Sequence, residues 1–279
     1  MEVRPFGPSP AKVSVIGQGT WYIDSGDISA ALATLRLGLD LGMNHIDTAE
    51  MYGAAEDIVG AAIAGRRDEV FLASKVLPSN ASYDGTLRAC ERSLARLKTD
   101  WLDLYMLHWP GSYPIRETMR AMEKLVSEGA IRNIGVSNFD VEDLIAAERA
   151  LRNEPMACNQ VLYHLLDRGI ERRLLPYCAR RDIAVVGYAP YGHGNFPAPH
   201  SVGGRLLAAI GARHERTARQ VALNFLTRDP SVFTIPKTVH PERVVENAGG
   251  AGWRLSPDEV AAIDQAFPAP DYDAPLAVL

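Results

Sequence analysis

Four residue types that together could move a proton stand at or just beyond the ends of short apolar runs. Asp47 closes "MNHID", with Tyr52 five residues on in "DTAEMYG"; Lys75 closes "VFLASK" and His108 closes "LDLYMLH". A free phenol titrates near pH 10 and is a poor acid or base near neutrality. A Lys ammonium beside it favours the phenolate and lowers that pKa, an Asp holds the ammonium, and a His can hydrogen-bond a substrate oxygen. The set suits a carbonyl that gains a proton on oxygen while another group reaches its carbon. Any one polar residue at a strand end is ordinarily a loop residue that bonds backbone. Four of them from adjacent units, converging on one rim, are harder to read that way.

The elements that must position them alternate along the chain. Eight short apolar or β-branched runs read as strands: 12–17, 43–47, 70–75, 102–108, 131–137, 156–160, 183–188 and 231–236. Amphipathic segments lie between them. Leu87, Cys90, Leu94 and Leu97 recur at helical spacing after Asp84 as a cap. Met119, Met122, Leu125 and Val126 form a second stripe, with Gly129 just past its end. Asp140 caps the segment carrying Leu144 and Ile145. Thr217 with Gln220, and Ser256 with Glu259, have capping-box spacing. Eight strand–helix units predict a (β/α)8 barrel, an α/β fold occupying 1–279 as one domain, with a short N-terminal β-hairpin and a short C-terminal tail. An open doubly wound sheet is the alternative, but its glycine fingerprint is missing: "GQGTWY" puts Tyr22 where the third glycine belongs. Residues 191–204 read as the longest loop and 268–279 as an irregular tail.

Composition narrows the class. A net charge of −5 leaves no basic footprint for nucleic acid or for a membrane surface. No apolar run approaches the roughly 20 residues that span a bilayer, and the N-terminus reads as neither a signal peptide nor a presequence. Cys90, Cys158 and Cys178 lack CxxC spacing and fit small core residues in a reducing cytoplasm. The histidines show neither HxH nor HxxxH spacing, so His193 and His200 read as loop residues and His45 as a packing residue; no metal is expected. "GVSNF" fails the spacing of a serine-hydrolase elbow.

In barrels of this kind chemistry collects at the C-terminal ends of the strands. Beyond the first four residues, those ends carry Ser137-Asn138, Asn159-Gln160 and Tyr188, and the last strand leads into Lys237. The whole chain resembles the aldo-keto reductases. The stretches that carry the resemblance are "GQGTW" (17–21), "HIDTAEMYG" (45–53), "ASK" (73–75), "DLYMLHWP" (103–110), "GVSNF" (135–139), "NQVLYH" (159–164) and "IPKTVHPERVVEN" (235–247), in family order. The flavour is closest to bacterial members that reduce methylglyoxal and related aldehydes.

The resemblance implies a (β/α)8 enzyme that uses NADPH to reduce a small carbonyl substrate, with no nucleic-acid or membrane partner; the chain is read as a monomer, with a homo-oligomer as the alternative. Tyr52 matches the family's proton donor, Asp47 and Lys75 the pair that tunes it, and His108 the residue that orients the carbonyl. Ser137, Asn138 and Gln160 match the groups that hold the nicotinamide carboxamide, and Tyr188 the ring that stacks on the nicotinamide. Gly19 and Thr20 fall in the cofactor-binding stretch after the first strand. Lys237, Thr238 and Arg243 match the clamp on the adenosine 2′-phosphate, Glu246 and Asn247 the adenine contacts. Trp21 and Trp109 match pocket-lining aromatics.

The residues support the phosphate clamp on their own account. Pro241 suits a helix N1 position, Lys237 and Thr238 precede that helix, and Arg243 lies in its first turn. Two cations, a hydroxyl and a helix N-terminus make an anion site, which favours NADPH over NADH. The bland reading is a surface Lys-Arg pair neutralising Glu242 and Glu246. The chain also departs from the family pattern. Leu162 and Leu165 replace a Glu and a Pro, and Ala189-Pro190-Tyr191 replaces Ser-Pro-Leu. One residue more lies between Ala49 and Glu56, which puts the Tyr52–Lys75 distance in question. Two other readings of the set are a cofactor-sensing regulatory protein of the same fold and a Schiff-base aldolase working through Lys75.

Overall fold

Runs that are apolar on both faces fold as strands covered on both sides. The structure is a computed structural model that describes residues 1–279. It begins with an antiparallel hairpin, β1 (Val3–Phe6) and β2 (Ser9–Ser14). Eight parallel strands follow: β3 (Gln18–Gly19), β4 (His45–Asp47), β5 (Phe71–Val76), β6 (Leu104–Leu107), β7 (Ile134–Ser137), β8 (Met156–Leu162), β9 (Ala184–Tyr188) and β10 (Val232–Thr234). Their spatial order is their chain order. Ile16 bridges Thr234, and the Gly19 N–H donates to the Pro236 carbonyl at 3.2 Å, which brings β3 against β10 and closes the barrel. A Cβ on Gly19 would stand 2.6 Å from the Ile235 carbonyl oxygen, so this closure requires glycine.

The first run is not one strand. Residues 12–14 belong to hairpin strand β2, and barrel strand β3 starts only at Gln18. One apolar stretch serves two sheets. Asn44 makes the division possible: its side-chain oxygen accepts the Ser14 N–H at 2.7 Å and its amide donates to the Lys12 carbonyl at 3.0 Å. The exposed edge of β2 is thereby satisfied without a neighbouring strand.

The helices form the outer layer: α1 (Ile28–Asp40), α2 (Ala55–Ala62), α3 (Tyr83–Leu97), α4 (Ile115–Ser127), α5 (Val141–Ala150), α6 (Leu174–Arg180), α7 (Val202–Arg213), α8 (Ala218–Leu226), α9 (Pro241–Ala248) and α10 (Pro257–Ala266). Helix α1 packs on both α2 and α9, which closes the outer layer where the barrel closes. Capping boxes form at Thr217 and Ser256, as their spacing predicts, and Asp140, expected as a simple cap, forms one with Asp143 as well. The cap of α3 is Ser82, whose side chain accepts the Gly85 N–H; Asp84 sits one step inside, in the first turn. There its carboxylate still favours the positive end of the helix.

Strand side chains alternate between the lumen and the helices with a period of two. The lumen residues Phe71 and Ala73, Leu104 and Met106, Cys158, Ala184 and Val186, and Phe233 and Ile235 make one buried cluster. Phe6 and Val13 of the hairpin join it from below. Phe6 lies 4.8 Å from Phe71 and 4.9 Å from Phe233 between ring centroids, and seals the floor. Extending the same parity upward gives Lys75 on β5, His108 after β6, Gln160 on β8, Tyr188 on β9 and Asp47 on β4. The polar residues named from the sequence are therefore the top layer of the lumen.

Removing the plug costs packing in a cluster buried throughout. Phe6→Ala is expected to lower unfolding free energy by about 3–5 kcal/mol, read from urea denaturation, while leaving cofactor affinity near that of the parent chain. Unchanged stability would show that the hairpin does not close the floor energetically.

Candidate active site

The strand ends set the groups in place. Lys75 has no exposed surface, and its Nζ donates to Asp47 Oδ1 at 2.5 Å and to the Thr48 carbonyl at 2.9 Å. Asp47 Oδ2 accepts the Gln160 side-chain amide at 2.7 Å, across the lumen from β8. The Thr20 hydroxyl donates to the Asp47 backbone carbonyl at 2.9 Å. Both carboxylate oxygens are thus satisfied. Tyr52 reaches over this pair, with Lys75 Nζ 5.0 Å from its ring centroid and its hydroxyl 3.4 Å from His108 Nε2. The additional loop residue leaves Tyr52 above the ammonium.

Tyr188 donates its hydroxyl to Asn138 Oδ1 at 2.9 Å, and the Asn138 amide donates to the His108 carbonyl at 3.1 Å. This chain links the ends of β9, β7 and β6. Asn138 holds a left-handed backbone (φ 59°), which asparagine tolerates better than most residues. Ser137 Oγ accepts from the same Asn138 amide at 3.3 Å.

These groups surround an open-topped cavity of about 350 Å³. Gly19, Thr20, Trp21, Asp47, Tyr52, His108, Trp109, Ser137, Asn138, Gln160, Tyr188 and Lys237 all line it. Lys75 lies beneath the lining, reached only through Asp47 and Tyr52. Thr238, Arg243, Glu246 and Asn247 lie outside the lining, on and before α9. Thr238 Oγ1 accepts the His240 N–H at 3.0 Å. Asn247 is buried and accepts the Tyr191 hydroxyl at 2.7 Å, while Glu246 accepts that of Thr217 at 2.7 Å. One oxygen of each of those two expected adenine contacts already has a protein partner.

The phosphate end fits an anion. His240 makes no side-chain cap on α9, and Pro241 stands at the head of that helix. Glu242 meets His240 Nδ1 at 3.7 Å and Glu246 meets Thr217, and neither carboxylate pairs with Lys237 or Arg243. Burial pulls the Lys237 pKa below its ordinary value against the opposing pull of Asp24. At the other end, amide and hydroxyl groups of Ser137, Asn138 and Gln160 face the same cavity as the Tyr188 ring. A ring to stack on, groups to bond a carboxamide and a free cation at the far end suit NADPH.

Electrostatics divide the protons. Burial pushes the Tyr52 phenol above its ordinary pKa; the Lys75 charge pulls it down and Asp47 pushes it up again. The net direction is opposite to the sequence expectation, because burial outweighs the neighbouring ammonium. Burial also works against the Lys75 charge, but the Asp47 carboxylate and then Tyr52 outweigh it and hold that pKa above the usual value. Burial, followed by the Lys75 charge, lowers His108 to about 3. Its ring is neutral at physiological pH.

Several lining residues escaped the sequence reading. Met51, Tyr191, His193 and Leu279 face the cavity, as does Ala189, which holds φ 50°. His193 stacks on Trp21 at 5.3 Å with planes 22° apart, and Tyr22 stacks on it at 4.7 Å. The glycines flanking His193 are the signal that could have singled it out. The Gln160–Asp47 bond was also missed; strand parity alone could have suggested it.

Fold and site define a (β/α)8 barrel with a polar, proton-bearing mouth. Residues 15–267 match the sequence profile of the Aldo/keto reductase family. The chain belongs to that family. It is 43% identical over 259 residues to methylglyoxal reductase YeaE of Escherichia coli (strain K12), covering 91% of each chain. It is 34% identical over 250 residues to glyoxal reductase of Bacillus subtilis (strain 168), covering 89% of this chain and 87% of the relative. A crystal structure of an aldo/keto reductase from Klebsiella pneumoniae in complex with NADP and acetate superposes with a TM-score of 0.92 at 43% identity, covering 99% of both chains.

Beneath Asp47, His45 has no exposed surface and neither ring nitrogen has a hydrogen-bond partner. It meets the edges of Phe6 and Phe71 at 5.9 and 5.5 Å. Burial lowers its pKa from 6.5 to about 4, against Asp47, with Lys75 adding to the lowering. A depressed pKa means that the unfolded chain binds the proton first. The stability contributed by the neutral ring is therefore complete above pH 6.5 and lost as pH falls towards 4. His45→Leu is expected to flatten the stability–pH curve in that window by roughly 1.4 kcal/mol per pH unit. Urea unfolding from pH 7 downward checks this; an unchanged slope would contradict it.

Proposed function

We propose that this chain, working as one domain, reduces small aldehydes, 2-oxoaldehydes and ketones to alcohols, with Tyr52 as the proton donor. As an aldo-keto reductase it is an NADPH-dependent oxidoreductase. The observation that carries the reading is the placement of the Tyr52 hydroxyl, 3.4 Å from a neutral His108, above a buried Lys75–Asp47 pair and open to the cavity. When bound, NADPH supplies the hydride that the carbonyl carbon receives. Tyr188, Ser137, Asn138 and Gln160 hold and orient the nicotinamide end, and Lys237, Thr238 and Arg243 hold the 2′-phosphate.

The proton follows from the electrostatics. A phenol with a raised pKa is fully protonated at neutral pH and available as an acid. Once it gives its proton to the substrate oxygen, the Lys75 ammonium stabilises the phenolate left behind. His108, too weak a base to be an imidazolium there, acts as a hydrogen-bonding group on the substrate oxygen. Trp21, Trp109 and Met51 form an apolar wall suited to a small substrate. The names of the methylglyoxal and glyoxal reductases support 2-oxoaldehydes as the first class to test. The Schiff-base alternative needs a deprotonated amine; ion pairing with Asp47 holds Lys75 as an ammonium. Three buried, unpaired thiols support a reducing cytoplasm as the working compartment, and we read the chain as a monomer.

Tyr52→Phe is expected to lower kcat for methylglyoxal roughly 10²- to 10⁴-fold with NADPH affinity unchanged. Near-normal turnover would remove Tyr52 from the proposed role. Lys237→Ala and Arg243→Ala are each expected to weaken NADPH binding roughly 10- to 100-fold and to leave NADH binding unaltered. Equal losses for both cofactors, by fluorescence titration, would place the 2′-phosphate elsewhere.

A further inference from the structure

The loop that carries Tyr52 is gripped on both sides by carboxylates that the proposed reaction does not use. Glu50, two residues before Tyr52, accepts the Leu77 N–H at 2.6 Å and the Asn80 side-chain amide at 3.0 Å, with Arg92 at 3.5 Å. Glu56, four residues after it, is 1% exposed and accepts the Ser74 hydroxyl at 2.6 Å and Arg96 Nε at 2.7 Å. Ser74 and Leu77 flank Lys75. The backbone follows the same register: Thr48 donates to the Ala73 carbonyl at 2.9 Å and Glu50 to the Lys75 carbonyl at 3.2 Å.

Between the two grips the chain turns tightly. Gly53 holds φ +54°, and a Cβ on it would stand 2.2 Å from Asp24 Oδ2, which accepts the Ala54 N–H at 3.0 Å. Beyond the turn begins α2, whose first residues include Glu56. Burying a carboxylate is costly unless donors meet it, and a hydrophobic side chain could pack the same space without that cost. A buried and a largely buried carboxylate bracketing one tyrosine, each bound to a residue within two positions of one lysine, fix a distance. That distance separates the phenol from the ammonium. The additional residue between Ala49 and Glu56 is absorbed in the turn, and Glu56 still reaches Ser74.

We propose that Glu50 and Glu56 are positioning residues that hold the Tyr52 hydroxyl in register with Lys75. They act through Tyr52 and touch neither substrate nor cofactor. The proposal rests on Tyr52 as proton donor.

The test is a pair of double-mutant cycles on the full chain, with methylglyoxal and NADPH. Glu56→Ala and Glu50→Ala are each expected to lower kcat roughly 10- to 100-fold, with the NADPH dissociation constant and the KM for methylglyoxal little changed. Glu56→Gln and Glu50→Gln, which keep an oxygen facing the same donors, are expected to restore most of the rate. In the Tyr52→Phe background, adding Glu56→Ala or Glu50→Ala is expected to cost nothing further, because the group being positioned is gone. Where Glu56→Ala does not fold, Ser74→Ala carries the test, since it removes only the hydroxyl that Glu56 accepts. Normal kcat in folded alanine variants, or losses that simply add to that of Tyr52→Phe, would overturn the positioning role while leaving the proton donor standing. Normal turnover in Tyr52→Phe alone would overturn both.

Discussion

A lysine ammonium with no exposed surface must have its charge met inside the barrel, and much of the mouth is arranged around meeting it. Lys75 bonds Asp47 and the Thr48 carbonyl; Asp47 in turn accepts from Gln160 on the far side of the lumen, and its backbone accepts from Thr20. One ion pair thus ties the ends of β3, β4, β5 and β8. Leaving either partner alone would strand a buried charge, which is far more costly than never having buried the pair. The geometry of the mouth is accordingly rigid where the chemistry is proposed. Rigidity in such a place serves catalysis, because fixed dipoles and charges need no reorganisation when the reaction begins.

The same burial sorts the titrating groups by what they can do. Tyr52 and His108 are pushed in opposite senses, the phenol towards keeping its proton and the imidazole towards refusing one. The two neutral side chains meet at their polar tips, so neither brings a net charge to a substrate oxygen before reaction. In the proposed reaction, the charge that stabilises the phenolate is already present one layer down, in Lys75. Apolar residues fill the lumen below, and they keep water from screening it.

Much of this was legible in the sequence because parity is legible. A strand that alternates lumen and helix faces carries its alternation to its end, so Lys75, His108, Gln160 and Tyr188 could be placed on one layer without coordinates. Helix boundaries with caps, at Asp140, Thr217 and Ser256, were equally plain. What failed were choices between neighbours of similar chemistry. Ser82 and Asp84 are both good caps, and only the local backbone selects Ser82. The run 12–17 has no turn signal before Gly17, so nothing in it marks the point where the hairpin hands over to the barrel. Long-range polar contacts were not read from the sequence either. Asp47 and Gln160 lie more than a hundred residues apart, and His193 meets Trp21 from a loop whose path depends on the left-handed Gly192 and Gly194. The sense of the Tyr52 shift was missed because burial and a neighbouring charge oppose each other, and their balance depends on depth.

The hairpin plug has a consequence for proton traffic. With Phe6, Phe71 and Phe233 across the floor and an uncharged His45, both ring nitrogens without a protein partner, beneath Asp47, the lumen is a tube with one open end. In the proposed reaction the titrating groups beneath Tyr52, namely Lys75, Asp47 and His45, end on this aromatic floor. Its proton must arrive through the mouth, by the route that substrate takes. While the mouth is filled, the phenol holds one proton and has no supply of another. The barrel then works as a charged cell that is loaded before closure, discharges once, and is reloaded only after it opens.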